Sequence, residues 1–384
     1  MEPVVKADAY GHGALPVARA LVSAGSDGLC VATIDEALEL RAAGIAAPLL
    51  VLYPIPAPYG SEAARLGIEV SVGDEVLLRE LLAALDASST GQHVLNAHLE
   101  VETGLGRGGL SGDALVRAAA AIRDSRRVRT AGAWTHLAAA ESHDRTAEQV
   151  ARFERSLDAL RRAGLGTGRR HLSASCGLLV GVPHYDAVRP GLIVYGIHPE
   201  GVRPAPDAAE LAEAIRPVMS VRARPVRVVD LPANHGVSYG PSFVTDRPTR
   251  VATLPIGYGD GWARGGSNVG AALVRGVRVP LVGTVAMDAV MADVTDVPGA
   301  PVGPGDVFTL IGRDGDDEIS ATTVARLRTT ISWEVVTTMA RRMPRVYHAA
   351  AGPTGLRTLT ALEDRWPESS SGTATSATSR STRS

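Results

Sequence analysis

The strongest constraint on this chain is a rhythm. From residue 1 to about 200, a short apolar run, a turn and an amphipathic helical stretch follow one another repeatedly. Candidate strands begin near Pro3, Gly28, Pro48, Ile68, Val94, Thr130, His171 and Ala187. Between them, segments such as 14–24, 35–43, 74–85 and 147–163 place apolar residues three and four apart, the spacing of one helix face. Eight strands alternating with helices predict a (β/α)8 TIM-like barrel, whose strand ends carry the active site. A doubly wound sheet is the alternative, less favoured because no Gly-rich phosphate fingerprint opens any of the helices.

A Pro-rich stretch at 202–207 ends the rhythm. Beyond about Arg216 the chain turns β-rich, with runs at 218–229, 250–255, 271–282, 290–294 and 307–311 set off by Gly, Pro and Asp. Helices are predicted near 322–328 and over 333–342. A length of 384 residues also makes two domains the expectation. The reading is therefore a barrel over 1–212 and a mostly β domain over 213–366. The segment 367–384, nearly all Ser, Thr, Ala and Arg, lacks apolar anchors and is expected to be disordered.

Charge and composition exclude several classes. A formal net charge of −2 gives no electrostatic footprint for nucleic acid. No apolar stretch reaches membrane-spanning length, since the best, at 46–55, is short and interrupted by Pro48 and Pro54. Two cysteines, Cys30 and Cys176, point to a reducing compartment, and with no signal-peptide pattern the expectation is cytoplasmic.

Lys6 is the only lysine, although Lys and Arg together number 39. Arg serves as a surface cation but does not deprotonate in a protein, so a single retained Lys points to amine chemistry, of which a Schiff base with a carbonyl is the obvious form. Codon bias with one survivor is the bland alternative. The flanks favour the first: an apolar strand reaches Lys6, then a polar, Gly-punctuated turn follows through His12 and Gly13.

The run at 5–13, Val-Lys-Ala-Asp-Ala-Tyr-Gly-His-Gly, resembles the alanine racemase family of pyridoxal 5'-phosphate (PLP) enzymes. Further motifs follow in the family's order over nearly the whole chain. The resemblance implies that Lys6 carries PLP as a Schiff base and that Tyr10 contacts the cofactor phosphate. Glu-Thr-Gly-Leu-Gly-Arg at 102–107 implies that Arg107 faces the substrate carboxylate, which suits a guanidinium fork. Trp-Thr-His-Leu at 134–137 implies that His136 packs beside the pyridine ring and bonds the arginine facing the ring nitrogen. That arginine is Arg189, in Val-Arg-Pro-Gly-Leu at 188–192. Ser175, Gly191 and Leu192 resemble the phosphate cradle. His12 reads as a loop-shaping residue.

In the β domain, His-Gly-Val-Ser-Tyr-Gly at 235–240 matches the loop that carries the family's second base, so Tyr239 is implied to serve the face opposite Lys6 across a homodimer. Pro-Ile-Gly-Tyr-Gly-Asp-Gly-Trp at 255–262 places Tyr258 near the substrate entrance and Arg264 in a gate. Gly-Thr-Val-Ala-Met-Asp at 283–288 offers the Met287 backbone N–H to the substrate carboxylate, with Asp288 close by. No metal is implied.

Some positions depart from the family. Many relatives have a lysine that becomes carbamylated at the position of Glu100; here the carboxylate itself is expected to steady Arg107. Trp333 replaces a tyrosine at the active-site mouth, Thr284 and Ala286 replace residues often Arg and Cys, and Glu141 replaces an Asp. Relatives also carry an upstream strand and helix, so a misassigned start or a truncated chain is expected. The implied function is interconversion of L- and D-alanine, supplying D-alanine for peptidoglycan. The alternatives are racemisation of serine or another small amino acid, or a catalytically weak paralogue that binds PLP or a cycloserine-like inhibitor.

Overall fold

A computed structural model describes residues 1–88, 93–349, 352–360 and 362–363; the tail at 367–384 lies outside the described residues. Seven parallel strands pair in sequence order: β1 (Leu29–Val31), β2 (Leu49–Val51), β3 (Ile68–Val72), β4 (Leu95–Glu100), β5 (Val128–Trp134), β6 (Arg169–Ala174) and β7 (Ala187–Arg189). The eighth predicted strand is reduced to one parallel bridge, Val4 opposite Cys30. It nonetheless bonds on both sides. The amides of Val5 and Cys30 donate to Cys30 and Pro3 carbonyls at 2.8 Å, and those of Glu2 and Val4 donate to Val188 and Pro190 at 2.9 and 2.8 Å. The N-terminal segment thus closes the barrel between β7 and β1, leaving no open edge.

The helices begin where the sequence supplies caps. Thr33 and Glu36 form a reciprocal capping box for Ile34–Ala42, and the Asp74 carboxylate accepts from the Val76 and Leu77 amides to start Glu75–Ala87. Leu78, Leu81 and Leu85, one stripe of that helix, are 0–4% exposed. Burying each stabilises by about 1.5–3 kcal/mol. The longest helix, His143–Arg162, buries Phe153, Leu157 and Leu160 in the same manner.

The β-rich half holds β8 (Val221–Ala223), β9 (Arg227–Leu231), β10 (Gly236–Val237), β11 (Phe243–Val244), β12 (Thr249–Leu254), β13 (Ala271–Val274), β14 (Val277–Val282), β15 (Val290–Asp293), β16 (Phe308–Asp314) and β17 (Asp317–Ile319). One sheet runs β17-β16-β13-β14-β15-β12-β9, with β8 added beside β16, and β10 and β11 form a small ribbon. Three predicted elements are corrected. The run at 218–229 is two strands, β8 and β9, because Pro225 between them has no N–H for a ladder. The run at 271–282 is a hairpin that turns at Arg275 and Gly276, both left-handed at φ 53° and 74°. The helix predicted over 333–342 is only Ser332–Thr337. Beyond it the Ala340 amide donates to the Asp260 carbonyl at 3.0 Å, drawing the chain onto the Asp260 turn.

Residues Met1–Ala340 form one compact unit and Arg341–Ser384 another. The described part of the second is a three-stranded sheet, β18 (Arg345–Ala349), β19 (Gly352–Arg357) and β20 (Leu362–Glu363). Among the described residues, no helix is long and apolar enough to cross a membrane.

Candidate active site

Lys6 ends the closing strand, and the four residues after it are all left-handed: Ala7, Asp8, Ala9 and Tyr10 have φ of 52°, 54°, 54° and 51°. For side chains with a Cβ this costs about 1–2 kcal/mol each, so neighbours must hold the turn. The Ala7 amide donates to Glu36 at 2.6 Å, and the Ala14 amide donates to Asp8 at 2.9 Å. His12 Nδ1 lies 2.9 Å from the Tyr10 carbonyl oxygen, and its ring stacks on Tyr195 at 4.5 Å. Gly11 is packed so closely under the Ser332–Thr337 helix that a Cβ would lie 2.0 Å from the Val336 carbonyl oxygen. Strain fixed from several sides marks a working position. Its effect is to aim both Lys6 and Tyr10 into one cavity of about 320 Å³ at the barrel mouth.

Burial, and then the Arg107 charge, hold the Lys6 ammonium below its ordinary range. On one side of the cavity, Tyr10, Ser175, Gly191 and Leu192 form a cradle. The Gly191 amide donates to Ser175 Oγ at 2.8 Å, and a Cβ at Gly191 would sit 2.7 Å from the Tyr10 hydroxyl. Only glycine leaves that space. Burial pushes the Tyr10 phenol up to about 12, so it keeps its proton and remains a donor.

The opposite wall holds Arg189, 2% exposed, with its guanidinium 4.7 Å over the Trp134 ring. It donates to the Thr135 carbonyl at 2.9 Å and meets His171 Nδ1 at 2.6 Å. The histidine bonded to this arginine is therefore His171, correcting the assignment of that contact to His136. His136 lines the cavity beside it, and burial with the Arg189, Arg107 and Lys6 charges pushes its imidazole down to about 3. It is a neutral wall.

Arg107 also lines the cavity, 39% exposed, with Nη2 3.9 Å from Glu100 Oε1 and the guanidinium 5.6 Å over Tyr53. Glu100 is buried in space that Gly73 leaves open, where a Cβ would lie 2.7 Å from Oε2. Burial raises its carboxyl despite the opposing pull of Arg107 and Arg189. Trp333 and Thr337 reach the same cavity from the Ser332–Thr337 helix, and Glu141 lines it too.

Five sequence-predicted residues stand elsewhere. Tyr239, Met287 and Tyr258 are 74%, 53% and 45% exposed, Arg264 and Asp288 are exposed, and none lines the Lys6 cavity. Their loops are stitched together instead. Ser238 Oγ donates to the Thr284 carbonyl at 2.6 Å, and the Tyr258 and Gly259 amides donate to the Ala286 and Met287 carbonyls at 3.1 and 2.9 Å. No cluster of metal-ligating side chains occurs among the described residues.

Two family models match this chain: the alanine racemase N-terminal domain over residues 1–199 and the alanine racemase C-terminal domain over residues 218–347. The chain belongs to the alanine racemase family. It is 41% identical to the alanine racemase of Sorangium cellulosum over 353 residues, covering 90% of each protein. With that of Salinispora tropica it shares 38% over 351 residues, 90% of this chain and 91% of the relative. Among solved structures, alanine racemase from Bacillus anthracis with bound L-Ala-P superposes with a TM-score of 0.85 at 31% identity, covering 93% and 90% of the two chains. The enzyme from D-cycloserine-producing Streptomyces lavendulae gives 0.82 at 37% identity, covering 91% and 90%.

Within this alanine racemase fold, sequence reasoning passed over His171, Tyr53 and Thr135. A signal for His171 existed: a histidine among the apolar residues of a barrel strand must spend its polarity on another buried group. Its partner, however, sits 18 residues away on β7.

Proposed function

We infer that this chain interconverts L- and D-alanine in the cytoplasm with PLP as its cofactor, using Lys6 and Tyr239 as bases on opposite faces of the substrate. One observation carries the reading. A single cavity gathers the chain's only lysine, its ammonium depressed, with an anion cradle on one side and a buried guanidinium on the other. The residues fit PLP: Tyr10, Ser175 and the Gly191–Leu192 backbone would hold the phosphate, and Arg189 would face the ring nitrogen. When bound, PLP supplies an aldehyde for amines and a conjugated ring that draws electrons from Cα.

The chain's own groups do the rest. Arg189, a donor-only cation, would offer a hydrogen bond to the ring nitrogen without readily giving up its proton, and so would favour a modest electron sink suited to moving one proton off and back. The Arg107 fork grips the substrate carboxylate, and Glu100 steadies Arg107. The Lys6 amine takes or returns the Cα proton on one face. Tyr239, whose exposure leaves it far from saturated by its own subunit, serves the other face in a second copy, with the Met287 amide and the Tyr258, Arg264 and Asp288 loops at the same mouth. Trp333 narrows that mouth. The family match favours alanine over serine and over the binding-only role.

The test supplies purified protein and PLP with L- and D-alanine separately in D₂O, following chirality and Cα deuterium together. Inversion with deuterium uptake from both enantiomers supports two-base racemisation. Exchange without inversion leaves one base working, and no exchange overturns the reading.

A further inference from the structure

Behind Arg189 a file of buried polar side chains crosses the barrel interior, and nothing in the chemistry above uses it. Arg189 Nη1 meets His171 Nδ1 at 2.6 Å, His171 Nε2 meets His98 Nδ1 at 2.9 Å, and His98 Nε2 meets Glu69 Oε2 at 2.8 Å. Arg169 Nη2 donates to the same Glu69 oxygen at 2.5 Å, and its Nη1 donates to Glu2. The four members from Glu69 to Arg189 stand on β3, β4, β6 and β7. Both histidines are 0% exposed.

The direction of every bond in this file is forced. A guanidinium has donors only, so His171 Nδ1 must offer a lone pair. The His171 proton then sits on Nε2 and donates to His98, whose own proton sits on Nε2 and donates to the Glu69 carboxylate. Protonating either ring sets donor against donor. One assignment remains: two neutral imidazoles, both Nε2–H, running from a cation to an anion. Burial, then the Arg189 charge, depresses the His171 imidazole, in keeping with its neutrality. Burial alone would raise the Glu69 carboxyl, but the His98 hydrogen bond and the nearby cations hold it low.

The file has room made for it. A Cβ on Gly132 would lie 2.2 Å from His98 Nδ1 and 2.7 Å from the Arg169 carbonyl oxygen. The Trp134 ring lies 6.3 Å from the His171 ring at 20° between planes, on the same side chain that carries the Arg189 guanidinium.

We propose that Glu69, acting through His98 and His171, is a positioning residue that keeps His171 Nδ1 an acceptor and so locks the Arg189 guanidinium into the cavity wall. This deepens the PLP reading, since Arg189 is the group that would face the cofactor ring. The charged carboxylate lies on the far side of two rings from the chemistry, and by accepting the last proton it stabilises the direction that the donor-only Arg189 sets at the other end.

The test has two arms. In protein labelled with ¹⁵N-histidine and prepared without added PLP, the ring shifts of His98 and His171, assigned with His98→Gln and His171→Gln, report tautomer directly. Both rings are expected neutral and Nε2–H at pH 7.5; an Nδ1–H His171 overturns the proposal whether or not any variant folds. In the second arm, Glu69→Leu is expected to lose this tautomer pattern and to weaken PLP affinity, read from visible absorption, by roughly tenfold, while far-ultraviolet dichroism stays native. Glu69→Gln, whose amide oxygen still accepts from His98, is expected to restore both. Unchanged tautomers and PLP affinity in Glu69→Leu, or a Glu69→Gln as impaired as Glu69→Leu, overturn it. If the unsubstituted protein takes up no PLP at all, the functional reading fails, while the tautomer arm still decides the file.

Discussion

The barrel mouth and the Tyr239 face are built on opposite terms. At the mouth, the groups around Lys6 are enclosed and engaged: Arg189 is 2% exposed and doubly bonded, and the Lys6 turn is pinned by Glu36 and the Ser332–Thr337 helix, with Arg107 the more open member at the rim. On the other face, Tyr239 is 74% exposed on a ribbon whose loops bond one another but enclose nothing. A proton-transfer group works best enclosed against its substrate, and Tyr239 is open to solvent within its own chain. The difference teaches that the Lys6 cavity is assembled within one chain, whereas on the proposed two-base reading Tyr239 would need a second copy to give it an enclosed environment.

The most severe way to break that comparison is to separate the halves. Lys6→Ala and Tyr239→Phe are each expected to lose racemisation by at least 10²-fold, the low end of what a positioned proton-transfer group contributes. Mixing the two inactive variants is expected to restore a substantial fraction of activity, because a mixed dimer has one site holding both bases; no recovery on mixing would place both bases within one chain. Because Tyr239 is exposed, its substitution should leave the melting temperature unchanged, whereas the mouth does not forgive intrusion. Gly191→Ala puts a Cβ 2.7 Å from the Tyr10 hydroxyl, and overpacking of that order is expected to weaken PLP binding about tenfold. Spectrophotometric titration checks it.

Two smaller effects sharpen the contrast through charge. Burial raises the Glu100 carboxyl in the folded chain, so its ionisation opposes folding above the ordinary carboxylate range. Glu100→Gln is therefore expected to melt no lower than the parent at pH 8, with any gain vanishing in acid, while the KM for alanine rises several-fold as Arg107 loses its anion. A lower melting point with unchanged KM would make Glu100 structural only. The smallest effect concerns His136, pushed down to about 3 from 6.5. The unfolded chain takes up this proton as pH falls below 6.5 and the folded chain does not until near 3, so stability drops across that window. His136→Asn is expected to flatten the acid limb of a melting-versus-pH curve, and an unchanged limb would show that His136 already titrates normally.

Much of the site was legible in the chain. The Lys6 run, the Arg107 loop and the Gly191–Leu192 pair all reach the one cavity, since each lies at the end of an apolar run and the barrel fold gathers such ends at one mouth. Less visible was anything whose partner lies on a distant strand. The His171–Arg189 contact was assigned to His136 because the family resemblance put that contact on the histidine just past the end of β5, and strand order alone does not say which ring reaches across. Glu69, His98 and Arg169 gave no signal at all, being single polar residues in separate apolar runs whose meaning exists only where β3, β4 and β6 converge.

The sequence by itself determined the period of strand and helix and the identity of the one amine, because these follow from local spacing and side-chain chemistry. Only the tertiary structure decided that the N-terminal bridge closes the barrel, that four left-handed residues turn Lys6 and Tyr10 into one cavity, and that two buried imidazoles line up between a guanidinium and a carboxylate. Those outcomes depend on hydrogen bonds and close contacts between residues tens to hundreds of positions apart, where the packing of several strands at once selects one geometry.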